Sequence, residues 1–196
     1  MGWIPERSEA LDLLQRYNQK ENHIKHALAV EAVMRHFSQF FPDTDPDEWG
    51  IVGLLHDLDY EQYPEQHCKK TAEILEKLDF EPRLLRAILS HGYGFCTDIK
   101  PISDMEKVLY TIDELTGLIT ASVLMRPSRS ILDLELKSLK KKFKSPSFAA
   151  NVNRDVIRQG ADWLGWELDD ILDETIKGMK KVASELGLDG SLNETS

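Results

Sequence analysis

Apolar residues recur at three- and four-residue intervals along most of this chain. The runs are separated by proline, glycine and capping residues, a pattern that predicts helix after helix. A short first helix is expected from Pro5 to about Asn18, and a second from Glu21 to about Phe40, stopped by Phe41-Pro42. Asp45-Pro46 supplies an N-cap followed by proline at the first helical position and opens a helix to about Asp57. Pro64 opens the next, to about Leu78, and Pro82 another that ends at His91-Gly92. Ser103-Asp104-Met105-Glu106 is a capping box for a helix to about Met125. Later helices are expected over Ser130–Phe143, Arg154–Leu164 and Leu168–Leu186, with Gly187 to Ser196 a loose tail. No stretch alternates in the manner of a strand, and there is no internal repeat or low-complexity linker. The expected fold class is all-α, a helical bundle forming one domain over residues 1–186.

Several of these apolar helices carry polar residues that a core does not tolerate unpaired. His26 extends the stripe of Val30, Val33 and Phe37, with His23 as the competing histidine one turn earlier. His36 shares a side with Lys25, Ala29 and Ala32 and reads as solvated. His56-Asp57 ends the apolar run Gly53-Leu54-Leu55, and Asp113 sits in mostly apolar Val108–Leu115. His67 follows Pro64, and His91 lies on the face of Leu84, Ala87 and Ile88, where it could instead cap its own helix. Imidazoles and carboxylates are ligands for zinc, manganese, iron, cobalt or nickel. His26, His56, Asp57, His67, His91 and Asp113 therefore form a candidate metal cage assembled from five helices. The competing reading makes each a core or surface residue satisfied by carbonyls or water.

The order His26 … His56-Asp57 … Asp113, in the contexts His26-Ala27-Leu28-Ala29-Val30, Leu54-Leu55-His56-Asp57 and Thr111-Ile112-Asp113-Glu114-Leu115, resembles the HD superfamily of metal-dependent phosphohydrolases. The resemblance covers roughly residues 20–125 and leaves the helices of 130–186 unassigned. It implies an HD-domain helical bundle in which these four residues hold one divalent metal. His67 and His91 resemble the extra histidines of binuclear members, in which the aspartate of the pair bridges both ions. Some members place a glutamate three residues after the pair; here that position is Tyr60, so the general acid is sought in Asp59 or Glu61. The implied function is hydrolysis of a phosphomonoester or nucleotide-type substrate, with Asp57, Asp59 and Glu61 as catalytic carboxylates. A mixed-valence di-iron oxygenase of the same fold and a non-enzymatic metal-binding regulator are the alternatives.

Charge narrows the partners. A net charge of −10 and a pI near 5.1 disfavour a nucleic-acid polymer. A small phosphorylated substrate still needs cations, and Arg126, Arg129, Lys137 and Arg154 are the candidates. The run Lys140-Lys141-Lys142 reads as a solvated face pairing with acidic segments such as Asp169-Asp170. Trp163 and Trp166 read as core. The first residues lack the basic and apolar stretches of a signal peptide, and the apolar run near Leu118–Met125 is too short to span a bilayer. Cys68 and Cys96 fit a reducing compartment without a disulfide framework, Cys68 being a free thiol or a metal ligand beside His67. A cytoplasmic protein is expected, with homo-oligomerisation left open.

Overall fold

The computed structural model describes residues 2–191. Nine α-helices make up the described chain: α1 (Arg7–Tyr17), α2 (Glu21–Ser38), α3 (Pro46–Leu55), α4 (Lys69–Glu76), α5 (Pro82–Ser90), α6 (Asp104–Leu124), α7 (Leu136–Phe143), α8 (Arg154–Leu164) and α9 (Leu168–Lys180). The fold is all-α, and pairing between extended segments is confined to isolated bridges among the described residues. The start signals act as expected. Asp45 accepts from Asp47 N ahead of Pro46, and Ser103 and Glu106 form the reciprocal box at the head of α6.

Helices α2 and α6 are the central pair. Helices α3, α6 and α9 pack on α2, while α5 and α8 pack on α6. In α3 every residue from Trp49 to Leu55 is buried, as expected of a helix apolar on all sides. Glycines permit the closest approaches. A Cβ on Gly53 would meet the Glu31 backbone of α2 at 3.0 Å, and one on Gly178 of α9 would meet Val33 of α2 at 3.1 Å. One on Gly160 of α8 would overlap Thr111 Oγ1 of α6 at 1.9 Å. Glu31, buried on α2, accepts from Arg7 of α1 at 2.6 Å and from Arg35 at 3.0 Å. Trp166 stacks on Phe41 with ring centres 6.0 Å apart, and Trp163 on Tyr110 at 5.1 Å, and both are half-buried rather than fully in the core.

Several expectations need correction. The helix sought from Pro64 is a 3-10 turn, Pro64–Gln66, broken from α4 because Cys68 adopts φ 66°. The helix sought from Ser130 begins only at Leu136, and α9 stops at Lys180, after which turns lead to Leu186. His36 is buried, not solvated. It donates from Nε2 to Glu174 at 2.7 Å and accepts at Nδ1 from Lys181 at 2.7 Å, because α9 covers that face of α2. Cys68 and Cys96 are joined by a disulfide and are not the free thiols expected of a reducing compartment. The tail expected from Gly187 is partly docked: Leu188 is buried and accepts from Ile131 N at 2.7 Å. The rest of that tail, residues 192–196, lies outside the described residues. No helix of the described residues is long and apolar enough to cross a membrane.

Gly160 gives a direct check on the packing of α8. A helical Gly→Ala change ordinarily stabilises by up to about 1 kcal/mol. Gly160→Ala is expected instead to destabilise by about 1–3 kcal/mol in urea unfolding, since its methyl group overpacks against Thr111. A gain in stability would contradict the α6–α8 contact.

Candidate metal centre

The six histidines and aspartates singled out from the sequence converge on one cavity of about 360 Å³, with buried His56 just beneath its wall. His26 comes from α2 and Asp113 from the middle of α6. His56 is the C-cap of α3, and Asp57 lies in the turn that follows. His67 sits in the joint between the 3-10 turn and α4, and His91 is the C-cap of α5.

Asp57 divides these side chains into two sets. Its Oδ2 lies 3.7 Å from His26 Nε2 and 3.5 Å from His56 Nε2. Asp113 Oδ1 completes that set, 3.0 Å from His26 Nε2 and 3.4 Å from His56 Nε2. Asp57 Oδ1 lies 3.4 Å from both His67 Nε2 and His91 Nε2. Donors held about 2.1 Å from one ion stand roughly 3.0–3.4 Å apart at octahedral and tetrahedral angles. Four of the six spacings fall on those edges, and the two from Asp57 Oδ2, at 3.5 and 3.7 Å, are slightly longer.

The opposite edge of each imidazole is tied down. His56 Nδ1 donates to Gly53 O at 2.8 Å, His91 Nδ1 to Ile88 O at 2.6 Å, and His67 Nδ1 to Asp59 at 2.7 Å. Thr116 Oγ1 donates to Asp113 O and so accepts from His26 Nδ1 at 3.4 Å. With Nδ1 carrying the proton, the four Nε2 lone pairs face inward, where the His26–His56 and His67–His91 nitrogens are only 3.2 and 3.1 Å apart. Facing lone pairs repel unless a cation or proton lies between them, so the residues present fit divalent metal. The capping role of His91 coexists with an inward Nε2.

Burial opposes charge on His56, but the Asp57 and Asp113 carboxylates outweigh it and hold the ring well above the usual imidazole range. His67 is raised as well, its burial outweighed by the hydrogen bond to Asp59 and the charge of Asp57. Asp57 and Asp113 move the other way, lowered against their own burial by the facing histidines.

The other expected site residues fall elsewhere. Asp59 is fully buried and accepts from Thr71 N as well as His67, so it orients a histidine and does not face the cavity. Glu61 accepts from the backbone of Gln19 and Lys20 and from His23, tying down the α1–α2 loop. Arg126 pairs with Asp133, and Arg129 is exposed in a left-handed turn at φ 46°. Lys137 lines a separate surface groove with Lys140, Lys141 and Lys144, and Lys140 pairs with Asp169. Arg154 donates to the carbonyls of Phe143, Ser145, Phe148, Ala149 and Val152, which fixes the loop that puts Val152 in the cavity wall. While Cys68 is bonded to Cys96 it is not a thiolate ligand. The disulfide packs over Gly92 instead, beside His91. Glu114 does line the cavity; one oxygen accepts from Asn153 N at 3.1 Å, and burial raises its pKa. Glu114 is not among the residues expected from the sequence; its one signal there is its place beside Asp113 in a mostly apolar helix.

Residues 23–118 match the family model of the HD domain. This stretch of the chain is an HD domain. No curated protein and no solved structure matches it. The matched stretch of this HD domain runs from the start of α2 to the later turns of α6 and includes all six residues of the cluster.

Protons and metal compete for the same nitrogens. Because His56 and His67 are raised in the folded state, their charged-pair contribution is fully present below the unfolded value of about 6.5 and is lost as pH rises through the raised values. The lowered Asp57 and Asp113 contribute above about pH 4 and lose that contribution only in acid. The melting temperature of chelator-treated protein is therefore expected to fall as the pH is raised above about 6.5. Saturating manganese should remove that fall, and its binding should release protons in calorimetry run in two buffers. A metal-free melting temperature that rises across this range would contradict the assignment.

Proposed function

We propose that this HD-domain protein is a metal-dependent phosphohydrolase acting on a phosphomonoester or nucleotide-type substrate. The observation that carries the reading is Asp57, with each carboxylate oxygen facing a separate group of inward imidazole nitrogens. His26, His56, Asp57 and Asp113 would hold one divalent ion, and Asp57, His67 and His91 a second. Such ions, when bound, polarise a phosphoryl oxygen and lower the pKa of attacking water.

The cavity wall supports metal dependence independently. It includes Asp57, Asp113 and Glu114 but no lysine or arginine among the described residues. In the bare protein the charged His56 and His67 do no more than balance Asp57 and Asp113, so a phosphate dianion would find no net positive charge there unless metal cations were held between. Arg126, Arg129, Lys137 and Arg154 are engaged or exposed elsewhere and leave that task to the metal. The side chains of the protein then orient the ester against the walls of Tyr60, Phe95, Tyr110 and Val152 and handle the leaving group. Glu114 takes the role first sought in Asp59 and Glu61. It faces the cavity, and both its burial and the adjacent Asp113 favour its protonated form.

Phosphate release with added manganese, cobalt or nickel tests the function. Turnover should vanish on chelation and return with metal. Glu114→Gln should slow alkyl phosphates by roughly a hundredfold or more, the scale of a lost general acid, and p-nitrophenyl phosphate much less, since its leaving group needs no proton. Equal losses on both esters would remove Glu114 from that role. Oxygen uptake by the iron-loaded protein with no ester hydrolysis under any metal would replace the hydrolase reading with the oxygenase one.

A further inference from the structure

Gly117 lies in the interior of α6, one turn after Asp113, where glycine costs about 1 kcal/mol relative to alanine. The other helical glycines include three with a clear packing reason: Gly53, Gly160 and Gly178 each touch a neighbouring helix. A Cβ on Gly117 would meet no heavy atom within 4 Å. The open space above it is where two cavities meet. The metal-centre cavity and a second one of about 400 Å³ share His26 and Gly117 in their walls. The second continues along α6 past Ala121 to Leu124, closed on its far side by Leu186 and Leu188. Leu186 and Leu188 are buried and Leu124 is half-exposed at the rim. Its one ammonium, Lys25, is held by Glu21 at 2.7 Å.

We propose that the organic part of the substrate is apolar and lies along α6, crossing Gly117 from the metal centre into this second cavity. The proposal rests on the phosphoester reading above. The missing side chain at position 117 is the passage, and the mainly apolar walls beyond it set the preference. With Lys25 already paired, a second phosphate is a poorer fit there than a hydrocarbon or ring. Helical glycine is tolerated at this position because the groove needs the room.

Butyl and octyl phosphate, given to the manganese-loaded full chain, test the proposal through KM and through Kd in calorimetry. Each methylene that enters an apolar pocket is worth about fourfold, the equivalent of about 0.8 kcal/mol. Octyl phosphate should therefore bind at least about tenfold tighter than butyl phosphate in the wild type. In Gly117→Leu the octyl-to-butyl ratio should collapse toward one. Gly117→Ala should melt no lower than the wild type, showing that the glycine serves no packing need. Equal affinity for the two esters in the wild type, or an octyl preference that survives Gly117→Leu, overturns the groove while leaving hydrolysis in place. A lower melting temperature for Gly117→Ala overturns it too. If no ester is turned over, the hydrolase reading fails separately. The Kd series still decides the groove: chain-length dependence removed by Gly117→Leu supports it, and a flat series overturns it.

Discussion

A single carboxylate stands between four inward-facing imidazole nitrogens, and the rest of the structure is arranged around that crowding. Asp57 offers one oxygen to His26 and His56 and the other to His67 and His91. Each ring has its far nitrogen committed to a carbonyl, a carboxylate or a hydroxyl, so none can turn away. Such a cluster is costly without positive charge at its centre. Protons on His56 and His67 supply that charge in the bare protein, and a bound divalent metal would supply it more strongly.

The helices provide the rigidity this requires. Helices α2 and α6 each contribute from an interior position, His26 and Asp113, whereas His56 and His91 use the ends of α3 and α5. A helix end suits a histidine ligand, because Nδ1 can cap a carbonyl of the last turn while Nε2 points past the terminus. The more irregular segments, around His67 and the turn after His91, are joined by the Cys68–Cys96 disulfide. The close glycine contacts of α3, α8 and α9 fix the distances between the elements that carry or flank the cluster.

Residue type, order and apolar context made the ligand candidates legible in the sequence, along with the helical fold and most helix starts. What failed depended on direction in space. Asp59 and Glu61 are near Asp57 in the chain, but the turn after α3 sends one into the core and the other to the α1–α2 loop. Arg154 looked like a phosphate ligand until the irregular loop before α8 supplied five carbonyls for its guanidinium. His36 shares a helix face with lysine and alanine, a pattern that reads as solvated, and only the docking of α9 buries it. The cysteine pairing joins residues 28 apart through a left-handed joint at Cys68, which no local pattern announces.

On the proposed function, Asp57 would serve two ions at once. Metal content per chain, measured by elemental analysis after saturation with manganese and removal of loosely bound ion, tests this most directly. Two ions per chain in the wild type, with Asp57→Ala retaining neither and His91→Ala retaining one, is the expected result. One ion per saturated wild-type chain, unchanged in His91→Ala, would contradict a shared Asp57 and leave His91 as a helix cap alone.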